Sequence, residues 1–178
     1  MKTWTEYTKP VAVLLVICLI SGLILSEANA LTAPTIAENE SASQSAAYFS
    51  ALPEAADFTV LDCKVDGVTA VMAADQGKGY VIAAQSRGYG GMVPVVVAFS
   101  PDGTIGNVVM MDNSETPGMG SKIADEAFVE SFIGRNAAPM TLEEIDAVTG
   151  ATISSRAALN AVNLTIAEYR SITGGDGK

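Results

Sequence analysis

The chain has 178 residues, with 10 Lys and Arg against 20 Asp and Glu, a formal net charge of −10 and a pI near 4.3. Such an anion repels nucleic acid, and with no histidine it has no His acid–base group, no His-ligated zinc and no His-ligated haem. Cys18 and Cys63 are too few and too far apart for a zinc knuckle or an iron–sulfur cluster, so demanding chemistry falls to carboxylates, hydroxyls, backbone groups or an organic cofactor.

Pro10 to Ser26 is uncharged and mostly aliphatic, about the shortest run that crosses a bilayer. Trp4, Tyr7 and Lys9 suit the membrane interface ahead of it. Lys2 and Lys9 against Glu6 give +1 over residues 1–26 and leave −11 for the remainder. The positive-inside rule then puts the N-terminus in the cytoplasm and the acidic part outside. A cleaved signal peptide is the alternative, with Ala28-Asn29-Ala30 as its A-x-A site, and it also delivers the domain outside. The reading adopted is an uncleaved anchor over 1–27, a stalk or the start of a first helix over 28–45, an extracytoplasmic domain over 46–173 and a flexible tail over 174–178. Cys18 lies in the span as a small apolar residue, and Cys63 reads as a buried thiol.

Ser45 to Leu52 reads as a short helix ended by Pro53. Strands are expected at Phe58–Cys63, Gly67–Ala74, Tyr80–Ser86, Val93–Ser100 and Thr104–Met111. Gly77-Lys78-Gly79 and Pro101-Asp102-Gly103 supply turns, and Gly88-Tyr89-Gly90-Gly91 a glycine-rich loop. Ser121 to Ile133 reads as one amphipathic helix and Ile153 to Tyr169 as a long one. The class is α+β: a small antiparallel sheet packed against helices, preceded by one transmembrane helix. Asp57, Asp62, Asp66 and Asp75 read as solvated surface, and no metal site is expected.

The segment Asp146-Ala147-Val148-Thr149-Gly150-Ala151-Thr152 precedes the last helix. A glycine there permits close approach to the backbone, two threonines supply hydroxyls, and a helix N-terminus favours a phosphate. An ordinary helix cap by Thr149 or Thr152 is the competing reading. In Glu115-Thr116-Pro117-Gly118-Met119-Gly120-Ser121-Lys122-Ile123, Pro117-Gly118 marks a turn whose amides are available to a planar ring, with Glu115 and Thr116 as hydrogen-bonding groups; a plain strand-to-helix turn is the alternative. Arg156, one turn into the helix, pairs either with a phosphate or in a surface ion pair.

DAVTGAT resembles the flavinylation pattern D-x-x-[ST]-G-A-[ST] of the extracytoplasmic FMN-binding domain family, which is shared by the G subunit of the Rnf electron transport complex and the C subunit of the Na⁺-translocating NADH:quinone reductase. GYGG at 88–91, the strand-turn-strand VVVAFSPDGTIGNVVM and ETPGMG at 115–120 are similar to the family's segments in the same order. The likeness runs over roughly residues 5–173. Asn113 stands where members often have a histidine, and Met119 where they have leucine. The short chain favours the Rnf branch of the family.

The resemblance implies FMN bound covalently through a phosphoester on Thr152, which makes the chain a phosphoprotein, with Asp146 as the motif's acidic residue for a flavin transferase. Thr149, Gly150, Ala151, Ser154, Glu115, Thr116, Gly118 and Tyr89 are the further cofactor-binding candidates. It also implies an electron relay in the cell membrane within an ion-translocating ferredoxin:NAD⁺ oxidoreductase, a translocase. The partners would be chiefly the D, A and E subunits of the Rnf complex, with B and C in the same assembly. No catalytic residue and no independent catalysis are expected. The alternative is a flavinylated electron-transfer domain of another extracytoplasmic reductase or sensor.

Overall fold

The computed structural model describes residues 2–174; side chains are described from residue 8 onward, those of 37, 40 and 41 excepted. The interfacial roles expected of Trp4 and Tyr7, and the tail beyond Gly174, therefore lie outside the described part. The chain divides into two compact units, residues 1–43 and 44–178.

Helix α1 is assigned over Lys2–Ala51, so the segment read as a stalk or helix start is helical. Pro10 and Pro34 lie inside it, each removing one helical hydrogen bond. In the first unit, Thr8–Ile36 is long and apolar enough to cross a membrane, by length and composition.

In the second unit five strands form an antiparallel meander in the order β1-β2-β3-β4-β5. They are β1 Phe58–Leu61, β2 Val68–Ala74, β3 Tyr80–Arg87, β4 Met92–Phe99 and β5 Ile105–Met110. In the β3–β4 hairpin Tyr80 stands opposite Phe99 and Arg87 opposite Met92, closed by a Gly88 N–H to Gly91 carbonyl bond of 2.7 Å. The β4–β5 turn forms as the Pro-Asp-Gly signal implies: Gly103 N–H donates to the Ser100 carbonyl and Thr104 N–H to Asp102 Oδ1.

The near-continuous apolar run of β4 follows from a sheet covered on both faces. Val93, Val95, Val97 and Phe99 point to one side, with Val71, Ile82, Ile105 and Val108. That face is covered by α3, Thr152–Thr173, through Ala158, Ala161, Val162, Ile166 and Tyr169. The alanines let the helix approach closely, and each fully buried Val or Ile contributes about 1.5–3 kcal/mol. Val96, Ala98, Val81 and Ala83 point the other way, onto Ala47, Tyr48 and Ala51 at the end of α1. The sheet thus separates two cores, and β4 and β3 serve both.

Three expectations need correction. The single helix over 121–133 is instead a 3₁₀ turn, Gly120–Ala124, followed by a short helix α2, Glu126–Glu130. The break is at Asp125, which is extended (φ −68°, ψ 145°), with its carbonyl accepting from the Phe128 and Val129 N–H groups as a helix start does. The apolar spacing is real, since Ile123, Phe128 and Phe132 are buried, but two turns separated by a kink satisfy it as well as one helix. Cys63 is exposed, not buried. After β1 the chain turns backbone inward: Lys64 and Val65 donate their N–H groups to the fully buried Glu168 carboxylate at 2.7–3.1 Å, and the Cys63 side chain is left outside. Slight desolvation, then the Glu168 and Asp62 carboxylates, push its thiol pKa up. Asp57, Asp62 and Asp66 are exposed, whereas Asp75 is half-buried and accepts the Ala56 N–H at 3.0 Å, so it ties down a loop.

Candidate functional site

The last helix begins without a side-chain cap: Ala151 is the residue before it, and the first intrahelical bond runs from Ser155 N–H to the Ala151 carbonyl, 2.9 Å. The N–H groups of the preceding turn point out of the helix end with no intrahelical acceptor. The reading of Thr149 or Thr152 as a helix cap is thereby set aside. Gly150 holds the bend in the left-handed region at φ +84°, where an L side chain is strained. Nothing lies within 4 Å of where its Cβ would be, so the requirement is conformational and not one of space.

Three hydroxyls lie in this first turn, and their situations differ. The Ser155 hydroxyl accepts the Val148 N–H at 3.0 Å. The Ser154 hydroxyl is buried and donates to Glu115 Oε2 at 2.5 Å. Thr152 is exposed, and among the described residues none hydrogen-bonds its hydroxyl. An exposed, unpartnered alcohol at the positive end of a 22-residue helix is suited to carrying a phosphoryl group.

A cleft of about 520 Å³ opens beside it, lined by Tyr89, Thr116, Met119, Gly120 and residues 150–154. That is the size of a small-molecule site. Its rim is apolar and solvent-facing: Tyr89 is 73% exposed, Ile153 57% and Met119 51%. Of the residues singled out from sequence, Tyr89, Thr116, Gly150, Ala151, Thr152 and Ser154 share this cleft. Thr149, Gly118 and Asp146 do not line it; Thr149 and Asp146 are exposed on the approach to the helix. Met119, Gly120 and Ile153 line it although sequence reasoning did not single them out as cofactor-binding. For the first two the signal was present in the ETPGMG segment itself.

Glu115 does not face the cleft. It is 5% exposed, and its Oε1 accepts the Gly90 N–H at 3.0 Å while Oε2 takes the Ser154 hydroxyl. Asn113, in the position often held by histidine, has both ends of its amide engaged: Oδ1 accepts the Glu115 N–H and Nδ2 donates to the Met111 carbonyl, each at 3.1 Å. It therefore shapes the approach to Glu115. The amides expected to face a ring at Pro117-Gly118 are used inside the turn. Gly118 N–H donates to Ser121 Oγ, and the Met119 and Ser121 N–H groups donate to the Thr116 carbonyl. Arg156 is exposed. The Glu143 carboxyl lies below its usual range chiefly through its own backbone N–H, then the Thr141 hydroxyl, with Arg156 a smaller contribution.

Residues 88–167, which contain the cleft and α3 to Ala167, match the FMN-binding domain family. The G subunit of a proton-translocating ferredoxin:NAD(+) oxidoreductase complex from Clostridium ljungdahlii is 31% identical over 172 residues, covering 91% of each chain. The G subunit of a Na(+)-translocating ferredoxin:NAD(+) oxidoreductase complex from Acetobacterium woodii is 29% identical over 197 residues, covering 96% of this chain and 95% of its own. Among solved structures, Shewanella oneidensis NqrC aligns with a TM-score of 0.46 at 25% identity, over 55% of this chain and about half (54%) of its own. At the identity and coverage of the Clostridium relative, the chain belongs to the family of G subunits of ion-translocating oxidoreductase complexes, with an FMN-binding domain over residues 88–167.

Proposed function

We propose that the chain is the membrane-anchored flavoprotein component of an ion-translocating ferredoxin:NAD⁺ oxidoreductase, carrying FMN on Thr152 as a phosphoester and relaying electrons between neighbouring subunits. The observation that supports the attachment site is the hydroxyl accounting at the start of α3: Ser154 and Ser155 are engaged by the protein, and among the described residues Thr152 has no hydrogen-bond partner. The isoalloxazine, when bound, supplies the electron-transfer chemistry.

The chain's own residues supply the rest. The uncapped helix start offers N–H groups and a partial positive charge to a phosphodiester anion. The open cleft accommodates a cofactor-sized group. Its rim of Tyr89, Met119 and Ile153 offers exposed apolar surface to a planar ring and leaves the cleft open toward a partner. A relay needs that openness and no enclosed substrate pocket. Attachment by a flavin transferase forms the Thr152 Oγ1–phosphorus bond and breaks the pyrophosphate bond of FAD. AMP departs with the bonding electrons, and the hydroxyl proton passes to solvent. Asp146, exposed ahead of the bend, is available to the transferase.

Thr8–Ile36 anchors the chain in the cell membrane, with the N-terminus cytoplasmic and residues 46–173 extracytoplasmic. A tethered cofactor keeps a high local concentration where a dissociated one would be diluted away. The partners in this reading are the D, A and E subunits, with B and C in the same assembly. The test is natively expressed Thr152→Val beside the parent on a denaturing gel, with affinity purification of both. Loss of in-gel flavin fluorescence with retention of the other subunits is expected. Full fluorescence in the variant would overturn the attachment site, and a parent that purifies without those subunits would favour another reductase.

A further inference from the structure

Glu115 is a buried acidic side chain with no ion-pair partner among the described residues. Its carboxylate has two protein donors, the Gly90 N–H and the Ser154 hydroxyl, which come from segments 25 and 39 residues away in sequence. A buried carboxylate is tolerated only where such donors are fixed. The space around it is closed by glycines. A Cβ on Gly88 would stand 2.2 Å from Glu115 Oε1. One on Gly120 would stand 2.9 Å from Oε2 and 2.8 Å from Ser154 Oγ. Three loops, 88–91, 115–120 and 150–154, therefore meet at one side chain, and the same three loops line the cleft beside Thr152.

We propose that Glu115 is a positioning residue. It does not touch the cofactor; it fastens the Tyr89 loop and the first turn of α3 around the Thr152 hydroxyl, and it ties up Ser154, the nearest rival alcohol in that turn. This rests on the reading of Thr152 as the flavin acceptor. Asn113 adds to the device by fixing the backbone from which Glu115 departs. Glutamine at 115 retains one acceptor oxygen for Gly90, and its amide N–H can donate to the Ser154 oxygen with the hydroxyl turned away. Alanine leaves both donors unpaired and the three loops unconnected.

The experiment uses the full chain in detergent, flavinylated by a flavin transferase with FAD. Loading is followed by intact mass, and the finished product by visible-region circular dichroism of the flavin, with thermal unfolding alongside. Glu115→Ala is expected to load about 10-fold or more slowly at saturating FAD and to give a flavin dichroism shifted toward that of free FMN, because a small misplacement of a reacting group is costly. Glu115→Gln is expected to restore loading to within about threefold and the parental dichroism. A folded Glu115→Ala chain with parental loading and dichroism would overturn the proposal, as would Glu115→Gln behaving no better than Glu115→Ala. If Glu115→Ala does not fold, Ser154→Ala decides. It breaks the same link from the helix side, and altered flavin dichroism at a near-parental melting temperature is expected; parental behaviour in both loading and dichroism would overturn. A parent chain that takes up no flavin refutes the Thr152 reading and this inference with it, whereas a loaded parent with indistinguishable variants refutes this inference alone.

Discussion

Replacing Gly150 and Gly90 by alanine, one at a time, separates two ways in which glycine shapes the cleft. At Gly150 the backbone is left-handed, φ +84°, and no heavy atom lies within 4 Å of the added Cβ. The cost is then conformational only, about 1–2 kcal/mol. At Gly90 the added Cβ would stand 1.9 Å from the Ser114 carbonyl oxygen, with the Ser114 carbonyl carbon at 2.7 Å. Those are backbone atoms that no rotamer change can move aside. The loop must shift by more than an ångström, which also loosens the Gly90 N–H bond to Glu115, and the cost should exceed about 3 kcal/mol. For a unit of this size about 3–5 °C accompanies each kcal/mol. Thermal unfolding of the full chain in detergent, followed by near-ultraviolet circular dichroism, is therefore expected to fall by roughly 3–10 °C for Gly150→Ala and by about 10 °C or more for Gly90→Ala. Equal effects, or the reverse order, would refute the distinction between strain and collision and with it the close meeting of the 88–91 and 113–115 segments.

Cys63 should react with iodoacetamide in the native chain, since it is exposed, but with an apparent pKa above the ordinary thiol value, because desolvation and the Glu168 and Asp62 carboxylates disfavour the thiolate. In a Cys18→Ser background, a rate–pH profile with its midpoint at or below about pH 8.5, or no reaction until the chain is unfolded, would contradict this. Glu144 accepts the Thr141 N–H at 2.6 Å, and this bond, followed by the Thr141 hydroxyl, lowers its carboxyl pKa. A depressed carboxyl stabilises the fold above its unfolded-state pKa and loses that contribution as pH falls through the folded-state value. Glu144→Gln should accordingly flatten the acid side of the stability–pH curve and leave its alkaline side unchanged; an unchanged acid side would argue against the bond.

The strands were legible because they are bounded by turn residues and composed of β-branched runs, and because β4 is covered on both faces its apolar run is unbroken. The position where α3 starts was legible too, from a glycine followed by a helical pattern, but whether a threonine caps it was not, since a cap and a free helix end share the same residues. What sequence periodicity could not resolve was the kink at Asp125, since the buried positions Ile123, Phe128 and Phe132 suit one helix or two turns equally. Nor does it report which side of a loop turns inward. At 62–65 it is the backbone, bonded to Glu168 from the far end of the chain, and so Cys63 faces out. The pairing of Glu115 with Ser154 was hidden for the same reason, because a contact across 39 residues leaves no local signature. Both residues are expected beside the cofactor; in the fold Ser154 lines the cleft and bonds to Glu115, which lies behind it.

The functional reading turns on a single oxygen, and peptide mapping of natively produced protein interrogates that atom. A proteolytic peptide spanning residues 149–155 should carry the added mass of an FMN phosphoester, and fragmentation should assign it to Thr152 with Ser154 and Ser155 unmodified. A bare peptide from material whose mass is that of the polypeptide alone, or an adduct on either serine, would contradict the reading.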